Sequence, residues 1–91
     1  MVEIKDKNGK TIQRSKNLRG IIKRGGKVGV RLALANMEPD SDGDLMPYLT
    51  VWFIDGTWVK VQFGDRRVLV EWVKNRRCFN GVRDTTDKRL Y

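Results

Sequence analysis

Five cations, Lys16, Arg19, Lys23, Arg24 and Lys27, cluster around the glycine pair Gly25-Gly26. Lysine holds a phosphate by point charge and arginine by a planar fork of donors. Glycine lets backbone N–H groups approach a phosphate closely. A second basic set, Arg66, Arg67, Lys74, Arg76 and Arg77, would extend the same field if the two segments lie side by side. The other dense feature is aromatic. Tyr48 to Phe63 reads as two β-branched and aromatic runs joined by Asp55-Gly56. Rings of this kind either fill a core, dock a partner or stack on nucleobases.

Catalysis has poorer material. There is no histidine and a single cysteine, Cys78. The commonest general base and the commonest metal ligand are therefore missing, and neither a Cys-His dyad nor a usual zinc site can be built. Arg76 and Arg77 precede Cys78 and would lower its pKa, but a lone cysteine beside an aromatic reads as a small filler. Asp40-Ser-Asp-Gly-Asp44 resembles the start of a calcium loop. Its glycine comes too early, and Val51 stands where the closing glutamate belongs. The segment 36–47 reads instead as a mobile acidic loop. The chain is expected to be non-enzymatic, with no metal, no cofactor and no small-molecule substrate.

Charge is segregated along the chain. Nineteen Lys and Arg against eleven Asp and Glu give +8 in 91 residues. Residues 1–35 carry ten basic and two acidic side chains, net +8. Residues 36–65 carry one basic and six acidic, net −5, and residues 66–91 carry eight and three, net +5. Two basic ends around an acidic middle suit a polyanion partner, and they also suit plain solubility. Hydrophobic residues make up 40%, enough for a globular core and too much for wholesale disorder. No apolar run approaches the roughly 20 residues of a spanning helix, and Met-Val-Glu-Ile-Lys has no signal-peptide centre. The expectation is one domain over 1–91, cytoplasmic, with no membrane partner.

The elements that would position these residues follow from periodicity. Val2-Glu-Ile-Lys and Thr11-Ile-Gln-Arg bracket Lys7-Asn8-Gly9, a hairpin signal. A three-residue loop with Gly9 in the left-handed conformation pairs Ile4 with Ile12 and keeps both on one face. Ser15 is the expected N-cap of a helix carrying Leu18, Ile21 and Ile22, which Gly25-Gly26 would stop. A third strand alternates Val28, Val30, Leu32 and Leu34 with Gly29, Arg31, Ala33 and Ala35. After the central hairpin, Asp65 would cap a second helix, about 66–77, with Val68, Leu69, Trp72 and Val73 as its apolar stripe. Residues 78–91 would form a flexible tail or a short edge strand. The order is ββαβββα. Two short helices cannot cover both faces of five strands, so an α+β two-layer sandwich is expected, a mostly antiparallel five-strand sheet with both helices on one face.

A two-residue Asp55-Gly56 loop pairs Phe53 with Trp58, Trp52 with Val59 and Val51 with Lys60. Tyr48, Thr50, Trp52, Ile54, Thr57, Val59, Val61 and Phe63 would then face the helices. Leu49, Val51, Phe53, Trp58, Lys60 and Gln62 would face away. That second set is either covered by the tail, or an interface for a second copy or a protein partner, or a stacking platform in which Lys60 and Arg31 bind phosphate.

Arg-Ser-Lys-Asn-Leu-Arg-Gly (14–20), Phe-Ile-Asp-Gly (53–56), Val68-Leu69, and Glu71-Trp72-Val73 before Arg76-Arg77 resemble segments of small uncharacterised proteins of bacteriophage and prophage genomes. The resemblance implies a phage or mobile-element setting, in which small proteins bind nucleic acid or inhibit host machinery, anti-CRISPR systems included. It implies no catalytic activity. The expected function is nucleic-acid binding through Lys16, Arg19, Lys23, Arg24, Lys27, Arg76 and Arg77. The alternative is a protein–protein inhibitor or assembly module using Val51, Phe53, Trp58 and Lys60.

Overall fold

Three tight turns share one backbone design and set the register of the sheet. In Asp6–Lys10, Asp40–Asp44 and Phe53–Thr57, the first residue's N–H donates to the fifth residue's carbonyl at 2.8–2.9 Å. The glycine in fourth position donates back to the first carbonyl at 3.0–3.1 Å. Gly9, Gly43 and Gly56 have φ of 85°, 85° and 88°, a left-handed conformation that costs other residues energy. This is the three-residue hairpin loop, a type I turn closed by a left-handed glycine. In the first two turns the leading aspartate adds an Asx cap. Asp6 Oδ1 accepts from the N–H of Asn8 and Lys10, and Asp40 Oδ1 from the N–H of Asp42 and Asp44. The segment 36–47 is therefore no mobile loop. Its aspartates close a turn between two long strands.

The computed structural model describes residues 1–76 and the backbone of 83–84. In chain order the elements are β1 (Val2–Lys5), β2 (Thr11–Ser15), α1 (Arg19–Val28), β3 (Val30–Pro39), β4 (Leu45–Phe53), β5 (Trp58–Gln62), α2 (Arg66–Lys74) and β6 (Arg83–Asp84). The fold is α+β, with the expected order ββαβββα. The sheet runs β2-β1-β5-β4-β3-β6, antiparallel throughout except for β6, which adds a parallel edge beside Leu34 and Ala35. Both helices pack on one face. Ile21 of α1 and Leu69 and Val73 of α2 are fully buried against Val2, Ile4, Ala33, Ala35, Leu49, Val51, Phe53 and Val59.

The central hairpin differs by one residue from the two-residue reading, and the difference inverts the faces of β4, while in β5 Val59 and Phe63 are buried as expected. Ile54, Asp55 and Gly56 all lie in the loop. Trp52 therefore pairs with Trp58, Val51 with Val59, Thr50 with Lys60, Leu49 with Val61 and Tyr48 with Gln62. Because strand side chains alternate, one step moves every residue of a strand to the opposite face. Val51 and Phe53, expected outside, are core with no exposed surface. Tyr48, Thr50 and Trp52, expected in the core, lie on the outer face with Trp58 and Lys60. Ile54 projects from the loop, 66% exposed.

Two bulges make similar corrections. In β1–β2, Gly9 takes the expected conformation, but the pairing shifts after Lys5–Thr11, so Ile4 meets Gln13 and Ile12 is left outside. In β3–β4, Val30 pairs with Phe53 while Leu32 pairs with Trp52, so Arg31 is the extra residue. Downstream of it, Ala33 and Ala35 face the helices and Leu32 and Leu34 face out. The small alanines replace the expected leucines at the helix–sheet contact.

Helix boundaries also move. Leu18, not Ser15, is the N-cap of α1, and it makes no side-chain cap bond. Gly25 and Gly26 lie inside the helix, which ends at Gly29 with φ 93°. The Gly29 carbonyl accepts from the Ile54 N–H at 2.9 Å, tying the helix end to the central hairpin. Asp65 caps α2 as expected, accepting from the Val68 N–H at 2.8 Å. That helix ends at Lys74 rather than Arg77, and Val68 is half-exposed instead of belonging to the buried stripe.

Candidate functional site

The basic cluster of α1 divides into two kinds of residue. Arg19, Lys23 and Lys27 recur every four positions, which places them on one helical stripe, and Lys16 precedes it. All four are exposed and none has an ion-pair partner among the described residues. Arg24 belongs elsewhere. Its Nε donates to Thr57 Oγ1 at 3.0 Å and its Nη2 to Asp55 Oδ2 at 2.5 Å. It fastens α1 to the hairpin loop and is not free to serve as the phosphate contact expected from sequence. Gly25 is buried within the helix, so the glycine pair offers no free N–H cradle.

The stripe works against its own helix. The first turn of α1 contains no acidic residue, and Arg19 stands there, where the helix dipole is already positive. Like charges four apart each cost about 0.2–0.5 kcal/mol. Most carboxylates of the described residues are engaged at other places. Glu3 faces Lys5 and Arg14, Glu38 faces Lys60, and Asp55 faces Arg24. Asp6, Asp40 and Asp65 accept backbone N–H groups. Hydrogen bonding from Thr11, opposed by desolvation and aided by Lys5 and Arg14, holds the Glu3 carboxyl below the usual range.

Arg14 extends the field to the sheet edge. It shares a groove with Gln13, Ser15, Arg19, Gly20, Ile22 and Lys23, where β2 meets α1. Gly20 permits this close approach, since a Cβ there would lie 2.9 Å from Ser15 Cβ. The basic groups of α2 do not behave alike. Arg67 and Lys74 are exposed near the two ends of the helix. Arg76 lies over Trp72, its guanidinium carbon 5.4 Å from the ring centroid. Arg77, Cys78 and the tail positions invoked as a cover lie outside the described residues.

The outer sheet face holds the second candidate. Trp52 and Trp58 oppose each other across β4 and β5, with Thr50–Lys60 and Tyr48–Gln62 as the next pairs. Lys5 is the β1 partner of Trp58. Lys60 Nζ bridges to Glu38 and sits 5.0 Å from the Tyr48 ring centroid, while the Tyr48 hydroxyl donates to Gln62 Oε1 at 2.9 Å. Leu34, Asn36, Glu38, Thr50, Trp52, Trp58 and Lys60 line a concavity of about 410 Å³. Of the interface residues expected from sequence, Trp58 and Lys60 are here, while Val51 and Phe53 are in the core. Trp52 and Tyr48 were missed. The signal was present: a one-residue longer loop sorts Leu49, Val51, Phe53, Val59 and Val61 from Tyr48, Thr50, Trp52, Lys60 and Gln62.

Among the described residues no three His, Cys, Asp or Glu side chains cluster as a metal site, and no helix is long and apolar enough to cross a membrane. No protein-family model, curated protein or solved structure matches the chain.

Proposed function

We propose that this protein is a non-enzymatic nucleic-acid-binding protein that contacts phosphates through the exposed stripe of α1. Lys16, Arg19, Lys23 and Lys27 are the contacting groups, with Arg14 continuing the surface at the sheet edge. The observation that carries the reading is the lack of counter-charge on this stripe, although most carboxylates of the described residues are held in turns, caps and ion pairs. An array of cations that destabilises its own helix is relieved when phosphates supply the missing negative charge. Lysine-rich phosphate contact carries little base information, so binding is expected to be largely sequence-independent. The mobile-element setting implied by the sequence resemblance is part of the same reading.

Relative to the sequence expectation, Arg24 and Arg76 leave the contacting set, because each is committed within the fold. A fluorescence-anisotropy titration with labelled single-stranded and duplex oligonucleotides at low salt tests the proposal. Binding of either form supports it, and Lys23→Glu should weaken that binding more than tenfold. No binding of either form at low salt overturns it.

A further inference from the structure

We infer that the cleft between Trp52 and Trp58 receives an unpaired nucleobase, so that the protein prefers single strands over duplex. This inference rests on the nucleic-acid reading above and adds the part of the ligand that reaches the other side of the sheet.

The two indoles are direct cross-strand partners, yet they make no ring–ring contact with each other. Directly opposed residues have Cβ atoms only about 5 Å apart. Two rings that start so close and do not touch are splayed, and both line the same concavity. Its volume of about 410 Å³ falls within the range of small-ligand sites, roughly 300–1,000 Å³. The walls differ in chemistry. Leu34 and the indoles are apolar. Thr50 and Asn36 present a hydroxyl and an amide whose Nδ2 already donates to Glu38 Oε1 at 3.2 Å, leaving its oxygen free to accept. A planar ring with polar edges matches this arrangement, stacking on indole while its edge meets Asn36 and Thr50.

Continuity with the α1 stripe favours a nucleobase over a peptide aromatic. Lys60 borders the cleft in an ion pair with Glu38, and Lys5, paired with Glu3, stands beside Trp58 on β1. Across the sheet, Glu3 of β1 pairs with Arg14 of edge strand β2. Arg14 in turn shares its groove with Arg19 and Lys23. Ion-paired cations, Lys60, Lys5 and Arg14, thus lead from the cleft around the β2 edge to the unpaired α1 stripe. A strand with its backbone on that path can turn one base into the cleft, whereas a duplex holds its bases paired and stacked.

Tryptophan fluorescence in a Trp72→Phe background reads the cleft alone, because Trp52 and Trp58 are then the remaining indoles. The probes are oligothymidylate, its duplex with oligoadenylate, and adenosine, which has a base but no phosphate. Oligothymidylate should quench strongly, duplex little, and adenosine weakly at high concentration. Trp58→Ala should reduce single-strand affinity by about 5- to 100-fold, with duplex affinity unchanged and thermal unfolding lowered far less than by Phe53→Ala. Trp58→Leu keeps an apolar strand residue without a π face and should give the same loss, which guards against a folding defect in the alanine variant. If oligothymidylate binds without quenching and both variants bind normally, the cleft assignment is overturned and the phosphate reading survives. If adenosine quenches but neither oligonucleotide binds, the cleft stands as a base site and the phosphate reading falls. A concentration-dependent dimer in light scattering that Trp58→Leu dissolves, without quenching by any probe, assigns the cleft to a second copy and overturns the inference.

Discussion

Arg24 shows how a single side chain changes meaning between sequence and fold. Beside Lys23 and Lys27 it reads as one more phosphate contact. In the structure it is the donor that locks α1 to the central hairpin. Asp55 receives it, and the hydrogen bond from the Thr57 hydroxyl is the largest influence on that carboxyl. Desolvation opposes it, while the Thr57 N–H and Arg24 add to it, and the net effect holds the Asp55 pKa below its usual value. A depressed folded-state pKa contributes stability above the unfolded value of about 3.9 and loses it as pH falls through the folded value. Both side chains are partly exposed, so the pair falls within the ~1 kcal/mol range of surface ion pairs. Asp55→Asn is expected to lower the melting temperature at pH 7 and to flatten its further decline below about pH 4. Thermal unfolding across pH checks this, and parallel acid profiles for both proteins would contradict it. No local pattern could reveal the pair, because its partners lie 31 positions apart.

Turns decide which residues become surface. The elements and their order were legible, because alternation, helical stripes and Asp/Asn-Gly signals mark them locally. The register of the central hairpin was not, since Asp-Gly serves both a two-residue loop and the last two places of a three-residue loop. One residue of difference moved Phe53 into the core and Trp52 out of it. Phe53→Ala should therefore cost about 3–5 kcal/mol of stability, while Trp58→Ala, on the outer face, should cost clearly less. Denaturant unfolding compares them, and equal losses would contradict the face assignment. The end of α1 was misread for a related reason. Glycines interrupt helices by propensity, yet the residue that must be glycine is Gly29, with φ 93° and ψ 150°. Gly29→Ala should cost about 1–3 kcal/mol from backbone strain. Its Cβ would also fall 2.6 Å from Ile54 Cδ1, but that side chain is exposed at the loop tip and can move. Gly26 has no neighbour within 4 Å of such a Cβ and lies inside the helix, so Gly26→Ala should be neutral or stabilising. A loss at Gly26 matching that at Gly29 would refute this distinction.

At the scale of the molecule, charge segregation in the chain becomes charge placement in space. The acidic middle supplies Glu38 and Asp55 to ion pairs, Asp40 to a turn and Asp65 to a helix cap, while the α1 stripe remains uncompensated. The excess of positive charge was legible from composition. The choice among cations was not, because it depends on which of them find carboxylates or rings after folding. The salt dependence of nucleic-acid binding, measured for the native chain and for Arg19→Gln/Lys23→Gln, tests the proposed phosphate contacts most directly. With four phosphate contacts, the log of the binding constant should fall against log salt with a slope of about −3 to −4. The double variant should bind more weakly at low salt, with a slope shallower by about 1.5 to 2. A flat salt profile for the native chain, or an unchanged slope in the variant, would contradict the account.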